Sequence, residues 1–454
     1  MYYTDTNQGL THRPVLINEA NHTVFGEGFT KLTVDNINRN PDIATIIINE
    51  NSSYYEVDEL EMKNHGLLHI HGNNSSFVVH NFTGDRTGLV QLRPGQKMFV
   101  QVVESKMGYS VAPVSYKIDH GAEIVFPSSL TLLGTRCIFE GLVVGVHQLI
   151  VAEGADVVFA STTQTGIKEN EKFRFLTTPG NITFAEVYVQ KGSRLEFSRI
   201  NNTLVFTAII FRLKYHALVN INHGEIDSSW AWVESEGRLV LDYTGHPAEI
   251  GPGSGTTKNL IGSGAGHGGE GGVHQAEQLG GEPYGSIYRA VHLGSGGGNG
   301  QGGGGSGGGM LHWRIGQEIE LDGLVTLRGG NGSGISAGGG SGGSILIETT
   351  NFTGYGEINV MGGDGSSPSG SGGSGGRISA HVRFRHKYAG VYKAYGGEGK
   401  TYAAAGTVYV EETARGPQYA DLKYDKSTNT TYIDRKSTRL NSSHLKLSRM
   451  PSSA

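Results

Sequence analysis

One recurrence restricts this chain more than any other feature. In the stretch 251–399 the phrase Ser306-Gly-Gly-Gly-Met310 returns as Ser341-Gly-Gly-Ser-Ile345 and Ser374-Gly-Gly-Arg-Ile378, each time after about 34 residues. A second phrase answers it at the same interval: Leu327-Arg-Gly-Gly-Asn-Gly332, Val360-Met-Gly-Gly-Asp-Gly365 and Ala394-Tyr-Gly-Gly-Glu-Gly399. A fixed period of this length marks a stacked repeat, in which each unit buries its apolar face only against its neighbours. The same stretch holds 50 of the 72 glycines, so the stacking there must bring backbones close together.

Short apolar runs persist between the glycines, as in Ile345-Leu-Ile347, Ile358-Asn-Val360 and Ile378-Ser-Ala-His-Val382. A flexible linker lacks such strands. The glycine runs are therefore expected to be ordered corners, extended as polyproline II segments close to a sheet, where only glycine permits the approach. Residues 251–300 are the least regular and are expected to form a long excursion on one face.

Upstream, short strands follow one another without a helical period. Glycines at 121, 154, 192 and 224 recur on average about every 34 residues, which suggests one period throughout. The expected fold is all-β: a parallel β-helix, a solenoid whose inward side chains form apolar ladders. A β-sandwich turns roughly every 8–12 residues, too often for this pattern. The expected organisation is coils over 1–250, the excursion at 251–300, glycine-rich repeats of about 34 residues over 301–434, and a separate tail at 435–454.

The formal charge is −5 with both signs interspersed, so no basic stripe recommends nucleic acid as a partner. The single cysteine, Cys137, excludes an internal disulfide and reads as a small buried hydrophobe. Ten Asn-x-Ser/Thr sequons, at Asn21, Asn51, Asn73, Asn74, Asn81, Asn181, Asn201, Asn331, Asn351 and Asn429, exceed chance and favour an extracellular or cell-surface location. The start, Met1-Tyr-Tyr-Thr-Asp-Thr-Asn-Gln8, has no signal-peptide pattern. No apolar run reaches the ~18 residues of a membrane span. Both observations fit an internal fragment of a larger surface protein. The tail carries five basic residues and no acid, and it resembles translated sequencing-adapter read-through.

The motif order also carries a resemblance. Gly266-His-Gly-Gly269, Tyr284-Gly-Ser286, Gly339-Gly-Ser-Gly-Gly-Ser-Ile345, Gly375-Gly-Arg-Ile378 and Ala404-Ala-Gly-Thr407 resemble the shared run of a family of large glycine-rich surface proteins of plants and animals. The resemblance covers about a third of the chain. It implies a right-handed, pectin-lyase-like β-helix in an extracellular or membrane-anchored protein. It implies no enzymatic activity and supplies no catalytic residues.

Several constellations are candidates for chemistry. His267, Glu270 and His274 have a spacing at which two imidazoles and a carboxylate can meet on a metal. The turns at Asn331, Asp364 and Glu398 are similar to calcium-binding repeats, but the period is far longer than the ~9 residues those need. Calcium is the one cofactor these turns suggest, and turn chemistry is the default. Gly397-Glu-Gly-Lys-Thr401 is the nearest approach to a phosphate loop, without a following helix. The carboxylates Asp322, Glu348, Glu357 and Asp364 sit in separate repeats, whereas polysaccharide-cleaving enzymes pair theirs. In Arg377-Ile-Ser-Ala-His-Val-Arg-Phe-Arg-His386, strict alternation places Arg377, Ser379, His381, Arg383 and Arg385 on one face, opposite Ile378, Ala380, Val382 and Phe384. That face is a candidate site for an acidic glycan or sulfate. Trp230, Trp232 and Trp313 are expected in the core, with sugar stacking as the competing role.

The reading that follows is a non-enzymatic extracellular module, a structural spacer or an adhesion surface for glycans or extracellular proteins. The alternative is a carbohydrate-active β-helix enzyme, a polysaccharide lyase or hydrolase.

Overall fold

The computed structural model describes residues 2–5, 30–35, 45–48, 54–70, 74–103, 105–106, 109–160, 163–169, 172–175, 181–198, 204–274, 278–413, 416–417, 421–425 and 430–434. The sequons at Asn21, Asn51, Asn73, Asn201 and Asn429, and the tail 435–454, lie outside them. The described residues are all-β, with long parallel sheets and no α-helix. The chain divides into two compact units, 1–220 and 221–454.

In the first unit three sheets share consecutive strands in rotation. Strands Glu123–Val125, Ser129–Leu133 and Arg136–Phe139 belong to different sheets; Leu142–Val144, Gln148–Ala152 and Asp156–Ala160 then lie parallel beside them in the same order. Glu123 partners Leu142, Ser129 partners Gln148 and Arg136 partners Asp156, each a step of about 20 residues. The next step, from Asp156 to Arg194, is nearly twice as long. The single period expected for this half is therefore wrong. Gly121, Gly154 and Gly192 all adopt positive φ (82°, 78° and 71°). Gly154 and Gly192 precede equivalent strands, whereas Gly121 precedes a strand of another sheet. Any corner can use a left-handed glycine, so glycine spacing mixes corners.

Alternation turns every second side chain inward. Leu92, Ile118, Phe139, Phe159 and Phe197 form one continuous inward ladder by register. Phe139, Phe159 and Phe197 stack at centroid distances of 5.3 and 5.8 Å. Each such buried ring contributes roughly 1.5–3 kcal/mol. Cys137, Val157 and Leu195 form the parallel ladder. Burial pushes the Cys137 thiol up to about 11, so it behaves as the small hydrophobe expected from the sequence.

In the second unit, strands Gly224–Val233, Met310–Leu321, Ser344–Thr353, Arg377–His386 and Thr407–Glu412 form one long parallel sheet. Leu311, Ile345, Ile378 and Val408 are in register, at steps of roughly 30–35 residues. A second parallel sheet runs through Arg238–Val240, Leu324–Thr326, Glu357–Asn359 and Val391–Lys393, and Val325, Ile358 and Tyr392 follow one another in it at the same interval. The period read from the sequence is the stacking period of this unit.

Within the second unit the glycine runs form a structure of their own beside these two sheets. In the segment from Gly338 to Gly343, the N–H groups of Gly338 and Ser341 donate to Gly298 and Ser295. Those of Gly339 and Gly342 donate to Ser371 and Ser374, and those of Gly340 and Gly343 to Gly330 and Leu327. Every third residue thus addresses the same neighbour, and three neighbours surround the segment. The segment from Ser371 to Gly376 repeats the pattern toward Gly262 and Ala265, Thr401 and Ala404, and Gly363 and Val360. Three residues per turn with all bonds external is polyproline II geometry; a β-strand would address two neighbours with period two. The runs are a hydrogen-bonded bundle of such helices. A Cβ on Gly264 would lie 1.7 Å from the Gly372 carbonyl oxygen, and one on Gly305 would lie 1.8 Å from that of Gly330. No other residue fits there.

The stretch 251–300 is not a loose excursion. Its described segments are a further layer of the bundle: Ala265 donates to Gly339, Gly268 to Gly375 and Gly298 to Ser263. The Asn331, Asp364 and Glu398 turns stack as a ladder. The Asn331 Oδ1 accepts the Asp364 N–H at 2.9 Å and the Asp364 Oδ1 accepts the Glu398 N–H at 2.8 Å. These side chains cap the next repeat's backbone, as turn chemistry requires.

Candidate functional site

The outward face of the long sheet in the second unit gathers most of the residues singled out from the sequence. One register row reads Asp227, Arg314, Glu348, His381, Glu411. Its charges are mutually engaged. Arg314 donates to Asp227 at 2.6 and 2.8 Å and to Glu225 at 2.7 Å. His312 Nε2 meets Glu348 at 2.6 Å and His381 Nδ1 meets Glu411 at 3.0 Å. Burial alone pushes the Glu348 carboxyl up, but the His312 hydrogen bond and the nearby His381 and Arg289 charges outweigh it and hold the group below its ordinary value.

The basic strand is not one open face. Arg377 is buried, its guanidinium donating to Tyr284 O (2.8 Å), Thr407 Oγ1 (3.0 Å) and His267 O (3.1 Å). Burial lowers its pKa. Ser379 donates to Tyr288 O at 2.7 Å and His381 Nε2 lies 2.6 Å from the same oxygen. The first half of this strand is therefore roofed by the 284–289 segment. Past Val382 the alternation fails: Phe384, expected inward, is 67% exposed, between exposed Arg383 and Arg385.

The failure has a geometric cause. Inward positions at one level are Ser228, Ile315, Thr349 and Val382; at the next they are Ala231, Ile319, Phe352 and His386. Two residues intervene on the first and third strands and three on the second and fourth, and the pairing register shifts at this level across all three strand pairs. Aligned bulges make a crease across the sheet. On the first strand the crease flips the phase, so Trp230 and Trp232 face outward, half-buried, rather than inward as expected. Their rings are parallel within 2°, with centroids 5.8 Å apart. Trp313 does lie in the core. Along the crease, Trp230, Glu318, Asn351 and Arg385 share a register row, and with about 4.8 Å per strand its ends are roughly 14 Å apart.

The five motifs behind the family resemblance meet at one buried cluster. His267 is fully buried and stacks on Tyr284 at 4.5 Å. Its Nδ1 lies 2.7 Å from Gly342 O, so Nδ1 carries the proton and Nε2 accepts from Ser344 Oγ at 3.2 Å. Burial drives its pKa down to about 3. Arg377 ties the backbones of His267 and Tyr284 to Thr407. The pairing of serine with imidazole resembles a nucleophile with its base, yet His267 and Ser344 have no exposed surface through which a substrate could reach them. Both ring nitrogens of His267 are occupied and Glu270 is exposed, so the proposed His267, Glu270 and His274 trio does not assemble. Among the described residues no group of three or more His, Cys, Asp or Glu could hold a metal.

The remaining candidates are engaged elsewhere. Asp322 accepts the Tyr355 N–H at 2.9 Å and Glu357 pairs with Lys393 at 2.6 Å. In the phosphate-loop candidate, the Gly397 and Lys400 amides donate to Gly373 and Gly370 within the bundle. Of the sequons, Asn74, Asn81 and Asn331 are exposed, Asn351 is half-buried in the crease, and Asn181 begins strand Asn181–Thr183. Set beside known proteins, the chain matches no family model, no curated protein and no solved structure.

Proposed function

We propose that this chain is a right-handed, pectin-lyase-like parallel β-helix from an extracellular or cell-surface protein, akin to the large glycine-rich surface proteins its motifs resemble. It acts as a non-enzymatic spacer and adhesion module whose contact surface for glycans or extracellular proteins is the creased outward face. Right-handedness rests on the general rule for crossovers between parallel strands. The observation that carries the binding role is the stacked Trp230 and Trp232 pair turned to solvent where alternation would have buried it. Part of each ring stays uncovered on the outward face, and aromatic faces offer apolar sugar rings a platform. The engaged carboxylates Asp322, Glu348, Glu357 and Asp364 are tied into structural contacts, which argues against the polysaccharide lyase or hydrolase alternative.

A glycan array probed with protein made in a secretory host tests this, with sugar-end release measured on the same preparation. Binding that Trp230→Ala/Trp232→Ala removes, without turnover, is expected. Release of reducing or unsaturated ends would refute the non-enzymatic reading.

A further inference from the structure

We infer that the Arg383-Phe384-Arg385 bulge with Lys387 is a recognition site for an anionic polysaccharide, one bearing carboxylate or sulfate groups; this rests on the adhesion-module reading above and names its ligand class. The basic side chains earlier on this sheet in the second unit, Arg314, Arg377 and His381, are all bonded within the chain. Arg383, Arg385 and Lys387 are exposed and have no ion pair or side-chain hydrogen bond among the described residues. The neighbouring strand pairs this one only as far as Val382 with Glu412, so the bulge lies past the end of that pairing. The acid in its row, Glu318, stands two strands away beyond Asn351. Free guanidinium forks match carboxylate and sulfate oxygens in bidentate geometry.

Charge alone would fit any polyanion. Phe384 decides the class: its ring is 67% exposed between the two arginines, held out by the bulge. An apolar ring flanked by two anion-binding forks suits a ligand that alternates apolar sugar faces with anionic substituents. An acidic polypeptide presents its carboxylates on mobile stems and offers the ring less. The crease continues from Arg385 through Asn351 and Glu318 to Trp230, a line long enough for an extended chain.

The test measures binding of heparin, polygalacturonate, poly-glutamate and a neutral glucan by the full chain at physiological salt. The double variant Arg383→Gln/Arg385→Gln is expected to weaken heparin or polygalacturonate binding by about tenfold or more per guanidinium. Phe384→Ala should weaken it as well. Lys400→Gln, which removes another exposed charge, in the glycine bundle, should leave it unchanged. An unaltered double variant, an equal loss with Lys400→Gln, or poly-glutamate binding as tightly as the polysaccharides would each overturn the inference. Glucan binding lost only in Trp230→Ala/Trp232→Ala, with no binding of the anionic polymers, would sink this inference and leave the adhesion reading standing. Absence of binding to every glycan would count against both.

Discussion

Replacing Gly264 by alanine tests the glycine bundle at its tightest point. The added Cβ would sit 1.7 Å from the Gly372 carbonyl oxygen, where ordinary contact begins at 3.4 Å. Two backbones must separate by about that difference. Gly372 cannot retreat freely, because its carbonyl accepts the Gly272 N–H and its own N–H donates to Thr401. Losing about two buried hydrogen bonds at roughly 1–3 kcal/mol each, with an overpacking cost of roughly 1–3 kcal/mol, gives about 3–9 kcal/mol. For a unit of this size that is a fall in Tm of roughly 10–30 °C. Gly154→Ala is the comparison: its φ is +78° but nothing lies within 4 Å, so only the left-handed backbone penalty of roughly 1–2 kcal/mol applies. Calorimetry of both variants checks the ratio. Gly264→Ala unfolding within a degree or two of the parent would refute close packing of the bundle.

Arg377→Met should destabilise by about 3 kcal/mol or more in denaturant melts, since it strands buried acceptors that a charged donor had satisfied; Arg377→Lys should recover only part. His267 titrates at about 3 when folded against an ordinary 6.5, so the unfolded chain binds the extra proton: its contribution is complete above about pH 6.5 and falls by roughly 4 kcal/mol as pH drops toward 3. Subtracting the stability–pH profile of His267→Asn from that of the parent isolates this slope. Asp364→Asn keeps the acceptor for the Glu398 N–H and should leave Tm unchanged, and added calcium should not raise the parent's Tm; a rise abolished in Asp364→Asn would place a cation at these turns. Trp230→Ala should lower stability by roughly 1–3 kcal/mol, the loss of a half-buried, stacked ring, while weakening glycan retention on an affinity matrix by more than Trp230→Phe does.

The stacking period of the second unit was legible because the glycine phrases and the strands share it; glycines such as Gly264, Gly305 and Gly339, where a Cβ would lie within 2 Å of a neighbouring carbonyl oxygen, cannot drift. In the first unit glycines occupy non-equivalent corners, so their spacing misled while the phenylalanine ladder went unread. The outward tryptophans escaped alternation because a bulge with two intervening residues inverts every position beyond it, whereas Phe384 lies inside a three-residue bulge that displaces it and then restores the phase at His386; nothing local in Ser228-Ser-Trp230 or Val382-Arg-Phe384 announces a bulge. The burial of Arg377 was hidden for another reason. Its roof comes from Tyr284, far earlier in the chain, and only the folded layer order brings them together. Motif order carried the family resemblance, but nothing in it showed that its residues meet in one buried cluster.

Amide hydrogen exchange at the glycines of 262–268, 271–272, 294–298, 305–309, 338–343 and 371–376 tests the ordered bundle most directly. Protection of these glycine amides comparable to that of strands Met310–Leu321 and Ser344–Thr353 is expected, because each donates to a neighbouring segment rather than to water. Exchange at the rate of an unstructured peptide, with the flanking strands still protected, would mean that the glycine runs are loops and that no bundle exists.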